Sequence, residues 1–113
     1  MIPMATVSAD KNPKYSTNQG NATKDKVFLL SIAEVDKLFG SDIKRSCTAT
    51  NYADANANGA GNGSNGNCFW WLRTLGYDQT DAVIVDNYSG FYERGYLVDG
   101  GIYAVRPALW ISF

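Results

Sequence analysis

The sequence contains no histidine, which is the side chain most often used as a general base and as a metal ligand. Only two cysteines occur among the 113 residues. Two thiols without histidine cannot supply the four ligands of a usual structural zinc site. We therefore expect no zinc centre, and no motif in the chain implies a cofactor.

The chain also has no marked excess of either charge and no long apolar run. Ten basic and eleven acidic residues give a net charge of −1. This balance argues against nucleic acid as the main partner, because phosphate binding needs clustered Lys and Arg. No run reaches the roughly 18 apolar residues that span a bilayer, so membrane insertion is not expected.

The first ten residues do not predict a secretion signal. They lack a basic beginning and are interrupted by Pro3. An extracellular or cell-surface location is therefore expected only if this chain is part of a longer exported protein. The hydrophobic content of 45% is enough for a core, and the length predicts one domain over residues 1–113.

The first half of the chain predicts one strand within residues 1–9, a polar loop over 10–25 and a second strand over 26–30. A helix should follow, because Ser31 and Glu34 have the spacing of a capping box. Its apolar positions are Ile32, Val35, Leu38 and Phe39, and Gly40 should end it.

A second helix is predicted over residues 50–57, capped by Thr50 or Asn51, with Tyr52 turned inward. Residues 56–67 contain only Asn, Gly, Ala and Ser, and they predict a long flexible loop. Cys47 and Cys68 flank this loop. They are interpreted either as buried free thiols, which we favour, or as one disulfide that closes the loop.

The second half of the chain is aromatic and predicts antiparallel strands. The predicted strands cover residues 69–73, 82–86, 91–98 and 102–113, with turns over 87–90 and 99–101. Gly90 is expected to supply a positive φ in the first turn, and Pro107 is expected to mark an edge, a bulge or a change of sheet. Early helices and late strands together predict an α+β fold.

Three motifs carry a resemblance: Asp25–Ser31 (DKVFLLS), Trp70–Gly76 (WWLRTLG) and Ala104–Ile111 (AVRPALWI). They resemble an uncharacterised domain family of gut bacteria with DKVFLLS, WWLRSPG and GVRPALWI motifs. The last motif is also similar to that of C-type lectin-like domains, including binding proteins diversified by retroelements. The resemblance implies a C-type lectin-like fold, of which this chain is the whole domain or its C-terminal part.

The resemblance treats several residues as fixed scaffold. Trp70, Trp71 and Trp110 are expected in the core, with at most one of the adjacent pair facing solvent. Arg73 and Arg106 are expected to hold loop carbonyls or acidic groups. The EPN, QPD and WND triplets of calcium-dependent lectins are absent, so no calcium site is expected.

The polar and aromatic residues between the motifs have the composition of a paratope, in which Tyr supplies rigid contact area. The predicted ligand-binding residues are Tyr77, Asp78, Asp81, Asp86, Asn87, Tyr88, Tyr92, Glu93, Arg94, Tyr96, Asp99 and Tyr103. We expect a non-catalytic module that binds a protein or a glycan through residues 76–103. The alternatives are a structural module of a larger surface protein and an enzyme, although no carboxylate pair has a diagnostic spacing. A truncated lectin-like domain would pair with a second chain, so a homodimer is among the expected assemblies.

Overall fold

The computed structural model describes residues 1–40, 42–56, 66–99 and 103–112. Within these ranges the chain forms two α-helices, one short 3-10 helix and two antiparallel sheets. The elements are β1 (Ala5–Val7), β2 (Thr23–Asp25), α1 (Ile32–Leu38), the 3-10 helix (Asp42–Arg45), α2 (Asn51–Asn56), β3 (Trp70–Leu75), β4 (Asp81–Val85) and β5 (Phe91–Leu97). The prediction of an α+β fold with short antiparallel strands is confirmed.

Helix α1 begins with the predicted capping box. The Ser31 hydroxyl accepts a hydrogen bond from the Glu34 backbone N–H at 3.2 Å, and the Glu34 carboxylate accepts one from the Ser31 N–H at 3.0 Å. Ile32 and Val35 are buried as expected, but Leu38 is 56% exposed. A helix turns about 100° per residue, so a position six residues after Ile32 lies on another side of the helix.

The predictions for the N-terminal third were partly wrong. Residues 10–25 are not loop throughout, because β2 pairs with β1 in a two-stranded sheet that joins Ala5 to Asp25 and Val7 to Thr23. Strand β2 is exposed at all three positions, so it has no apolar alternation that could have revealed it. The expected strand over 26–30 is reduced to one isolated bridge between Phe28 and Ala108.

The second helix forms at Asn51–Asn56, with the Thr50 hydroxyl accepting from the Ala53 N–H at 3.1 Å. Tyr52 was wrongly expected to turn inward, since it is 79% exposed. The predicted flexible loop over 56–67 lies mostly outside the described residues, as do Gly100 and Gly101 of the second predicted turn and Ile102 and Phe113 of the last predicted strand.

The larger sheet has the strand order β3-β4-β5 and separates two environments. Its inner face contributes Trp70, Leu72, Val83 and Val85 to the hydrophobic core, where they pack with residues 30–35. The outer face includes Trp71, Ile84 and Tyr92, which are direct cross-strand neighbours and therefore share a side. The adjacent Trp70 and Trp71 point to opposite faces, as the strand period requires.

The C-terminal segment is not the long strand that was predicted. Within residues 103–112, Ala104 forms an isolated parallel bridge with Trp70, and Ala108 forms an isolated antiparallel bridge with Phe28. The change of partner occurs across Pro107, which has no N–H to donate to a ladder. Trp110 was wrongly expected in the core, because this irregular segment leaves it 58% exposed.

Arg73 and Arg106 connect separate parts of the chain, as expected of scaffold residues. The Arg73 guanidinium donates to the Ser8 carbonyl at 2.9 Å and to the Leu29 carbonyl at 2.9 Å, and it forms an ion pair with Glu34. The Arg106 guanidinium lies 4.8 Å from the centre of the Trp70 ring. The Arg106 guanidinium also donates to the Arg45 carbonyl at 3.4 Å.

Candidate functional site

Five aromatic rings form a continuous group on the outer face of the larger sheet. We call Phe69, Trp71, Tyr92, Tyr96 and Tyr103 the outer aromatic cluster. The Tyr92 and Tyr96 rings stack with centroids 4.7 Å apart, and Tyr96 stacks on Tyr103 at 5.1 Å. Trp71 and Phe69 meet Tyr103 edge to face at 4.8 Å and 6.0 Å. These distances lie within the range of favourable aromatic contacts.

The stacking of Tyr92 on Tyr96 depends on an irregular strand. Residues four apart in a regular strand are separated by about 13 Å, too far for their rings to stack. Here Tyr92 pairs with Ile84 while Tyr96 pairs with Ala82, so β5 accommodates two more residues than β4 between these pairs. This bulge shortens the path between the two tyrosines and places both rings on the outer face.

Gly95 makes the bulge sterically possible. Its φ is +79°, and a Cβ atom there would lie 2.5 Å from the Ala82 carbonyl oxygen. That separation is too short for any other residue, so the backbone of β5 approaches β4 only because glycine has no side chain. The position of the tyrosine stack therefore depends on a glycine between its members.

Asn12 holds the bulge from the side. Its amide nitrogen donates to the Glu93 carbonyl at 2.8 Å and to the Leu75 carbonyl at 3.1 Å. Its oxygen accepts from the N–H groups of Lys14 and Tyr15, and only 6% of the residue is exposed. One side chain thus ties the end of β3 and an inner residue of β5 to a segment that was predicted to be a polar loop.

The rings of the cluster cover an apolar residue and also remain accessible. Ile84, the direct neighbour of Trp71 and Tyr92, is 1% exposed although it faces away from the core. Tyr92 and Tyr96 are 39% and 41% exposed. The cluster therefore combines partly exposed rings with a buried aliphatic side chain beneath them.

Tyr103 resists ionisation more than an ordinary tyrosine. Burial raises the pKa of Tyr103 above its ordinary value, and the neighbouring Tyr96 and Tyr92 raise the pKa further because like charges would meet on ionisation. A neutral phenol can both donate and accept a hydrogen bond. Tyr103 thus contributes a neutral hydroxyl group to the cluster.

A second group of predicted site residues surrounds the β3–β4 turn. Tyr77 is 56% exposed, and its ring lies 5.2 Å from the Arg94 guanidinium and edge to face with Tyr15 at 5.4 Å. Glu93 pairs with Lys14 at 3.5 Å. Hydrogen bonds from Thr80 hold the pKa of the Asp78 carboxyl below its ordinary value. Asp81 begins β4 beside this turn, and Asp99 is exposed just beyond the end of β5.

The third group lies at the opposite end of β4, in the β4–β5 turn. The Asp86 carboxylate accepts from the N–H groups of Tyr88 and Gly90 at 2.9 and 3.0 Å. The positive φ of this turn is at Ser89, not at Gly90 as predicted. Ser89 is held there by its buried hydroxyl, which bonds to Ser46. Asn87 is 8% exposed and Tyr88 is 72% exposed.

The predicted site residues therefore do not form one surface. Tyr92, Tyr96 and Tyr103 are brought together, whereas the two turn groups lie at opposite ends of β4. Trp71 and Phe69 join the cluster although their sequence context indicated only scaffold. Their participation had one sequence signal, the strand alternation that places Trp71 opposite to Trp70.

Outside the outer aromatic cluster, the described residues bring the two cysteines together. In this part of the chain no three His, Cys, Asp or Glu side chains are grouped as metal ligands would be. None of its helices has the length and apolar character needed to cross a bilayer. Cys47 and Cys68 are free thiols whose sulfur atoms are 3.1 Å apart.

A family model described as a domain of unknown function, DUF6273, matches residues 1–113. The chain belongs to this family. No curated protein and no solved structure matches the chain. Membership in DUF6273 confirms the expectation of an uncharacterised domain family, and it supplies no activity or ligand.

Proposed function

We propose that this DUF6273 domain is a non-catalytic binding module whose contact surface is the outer aromatic cluster, and that its ligand is a protein. The observation that carries the proposal is the stack of Tyr92, Tyr96 and Tyr103 on a sheet face, with two of the rings about 40% exposed. Rings that are already fixed lose little conformational freedom on binding, which favours affinity.

The orientation of the rings favours a protein over a glycan. A sugar is commonly held by stacking on a free aromatic face. Tyr96, however, already has two rings stacked on it, Tyr92 at an interplanar angle of 29° and Tyr103 at 25°. What it presents is an edge and a hydroxyl group. Tyrosine edges with hydroxyl groups are typical of protein-binding surfaces, where they provide apolar area and hydrogen bonds together.

Two finer expectations are part of the proposal and depend on the sequence resemblance. The first is a C-type lectin-like arrangement of the sheets and helices. The second is diversification of the surface positions by a retroelement. Exposed tyrosines on a rigid sheet are compatible with both, and sequencing the locus across its source population would contradict the second if Tyr92 and Tyr96 varied no more than Trp70.

The experiment is a selection of displayed random peptides on the wild-type domain, with a glycan array run in parallel. Enriched peptides are then tested on Tyr96→Ala and on Tyr88→Ala. The second variant is a matched control, because Tyr88 is more exposed but lies in the β4–β5 turn. We expect peptide binding to fall at least tenfold in Tyr96→Ala and to persist in Tyr88→Ala, since removing a central aromatic contact commonly costs about 2 kcal/mol.

Four results would contradict the proposal. Peptides that bind Tyr96→Ala as well as wild type would place the contact surface elsewhere. Glycan binding that depends on Tyr92 would replace the protein ligand by a sugar. Self-association that is lost in Tyr96→Ala would make the cluster the interface of the expected homodimer. The absence of any tyrosine-dependent ligand would favour the structural module, in which the rings serve only to cover Ile84.

A further inference from the structure

Cys47 and Cys68 are adjacent in space although 21 positions separate them in sequence. Their sulfur atoms are 3.1 Å apart, and the Cys68 backbone N–H donates to the Cys47 carbonyl at 2.8 Å. The backbone hydrogen bond holds the two residues side by side, which is the arrangement that a disulfide requires. A modest rotation of the side chains would bring the sulfur atoms to the bonding distance of about 2.0 Å.

The two thiols differ in their surroundings. Cys68 is 1% exposed and belongs to the hydrophobic core, whereas Cys47 is partly exposed and packs against that core. Burial, followed by the adjacent Cys47, raises the pKa of Cys68 to about 12. Cys47 is therefore the thiol that an oxidant in solution can reach, and Cys68 is the buried thiol that can react only with Cys47.

We propose that Cys47 and Cys68 are a reversible oxidation site that forms an intramolecular disulfide with a small-molecule disulfide such as glutathione disulfide as the oxidant. The Cys47 thiolate attacks one glutathione sulfur, forms a mixed disulfide and releases one glutathione thiolate. The first glutathione thiolate takes from solvent the proton that Cys47 gave up on forming its thiolate. The Cys68 sulfur then attacks Cys47, and its proton leaves with the second glutathione, which departs as a thiol. Two protein thiols are oxidised and one glutathione disulfide is reduced to two thiols.

The disulfide would join two parts of the fold that are otherwise held by weaker contacts. Cys47 follows the 3-10 helix, and Cys68 lies two residues before β3. The link would constrain the unfolded chain by closing the segment between them. It would also fix the position of the Arg45 carbonyl, which accepts from the Trp70 indole at 3.1 Å.

The test uses the full chain equilibrated in buffers with increasing ratios of oxidised to reduced glutathione. Intact mass and peptide mapping follow the thiols, and thermal unfolding follows stability. We expect a loss of two hydrogen atoms, a mapped 47–68 link, and a rise in melting temperature of roughly 10 °C that dithiothreitol reverses. A stable glutathione adduct on Cys47, a link between two chains, or no oxidation at any ratio would each overturn the proposal.

Single-cysteine variants separate the two roles. Cys68→Ala should accumulate the glutathione adduct on Cys47, because the second thiol is missing. Cys47→Ser should leave Cys68 unreacted in the folded protein, because the core shields it, and this variant does not disturb a buried position. Rapid glutathionylation of Cys68 in folded Cys47→Ser would contradict the assigned order of attack.

Discussion

Both faces of the larger sheet carry large aromatic side chains, but these side chains lie in different environments on the two faces. On the inner face, Trp70 is fully buried and packs with Leu72, Val83 and Val85 in the core. On the outer face, three tyrosines stack on one another, Trp71 meets one of them edge to face, and Tyr92 and Tyr96 keep part of their rings in solvent. The difference teaches that aromatic content alone does not identify a core, because a layer of rings can cover one face of a sheet and still remain partly exposed to solvent.

The largest effect should come from replacing Trp70 with alanine, and the same change at the neighbouring Trp71 supplies the comparison. Trp70→Ala removes a fully buried ring and should cost about 4 kcal/mol of unfolding free energy, or prevent folding. Trp71→Ala removes a partly buried ring and should cost less than half as much. Chemical denaturation of both variants measures the difference, and equal losses would mean that the two faces are equally part of the core.

The bulge that builds the outer face can be broken at Gly95. Gly95→Ala forces a Cβ atom against the Ala82 backbone at a positive φ, and we expect a loss of about 3 kcal/mol. Gly40→Ala is the matched control, since nothing lies within 4 Å of a Cβ atom there and its φ is not positive. If both variants unfold at the same denaturant concentration, the bulge does not depend on glycine.

The support of the outer face by Asn12 should be measurable separately. Asn12→Ala removes the side-chain amide that donates to the Glu93 and Leu75 carbonyls, of which Leu75 keeps a second donor in Gln19, and it should cost about 2 kcal/mol. Hydrogen exchange should increase at Tyr77, whose N–H donates to the neighbouring Arg94 carbonyl at 2.7 Å. Unchanged protection there would show that the strands hold their positions without the Asn12 clamp.

The smallest effect concerns pH and the acidic groups near Arg73. The hydrogen bond from Ser31 is the main cause that holds the pKa of Asp10 below its ordinary value, and Arg73 contributes to the lowering. A carboxyl with a lowered folded pKa stabilises the fold above its unfolded pKa of about 4, and this contribution disappears as the pH falls through the folded pKa.

Asp10→Asn should therefore weaken the fold by less than about 1 kcal/mol at pH 7. The variant should approach wild type as the pH falls below about 3. Urea unfolding at a series of pH values tests this, with Asp25→Asn as an exposed control. A constant difference between Asp10→Asn and wild type at every pH would contradict the assigned linkage.

Local signals in the sequence predicted a substantial part of the fold. The capping box at Ser31 and Glu34 located α1, and apolar runs bounded by turn residues located β3, β4 and β5. These features depend on residues within a few positions of one another. Membership of a domain family, stated from the DKVFLLS, WWLR and RPALWI motifs, was confirmed at the level of the family, although the lectin-like fold stays a prediction.

The features that build the candidate site depend on contacts distant in sequence. Asn12 bonds to carbonyls 63 and 81 residues away, and no local pattern marks it as buried. The bulge at Gly95 depends on the close approach of the β4 backbone at Ala82. The sequence of β5 alone therefore predicts a regular hairpin strand. Trp110 has the same apolar character as Trp70, and only the partners of the C-terminal segment decide that it is exposed.

The most direct test is a pair of measurements on one variant, Tyr92→Ala. Its unfolding free energy is compared with that of Trp70→Ala, and its affinity is measured for peptides selected on the wild-type domain. We predict a loss of about 1 to 2 kcal/mol of stability together with at least tenfold weaker binding, because the ring is partly exposed and belongs to the contact surface. A loss of stability equal to that of Trp70→Ala with unchanged peptide binding would contradict the assignment, and would make the outer aromatic cluster a second core.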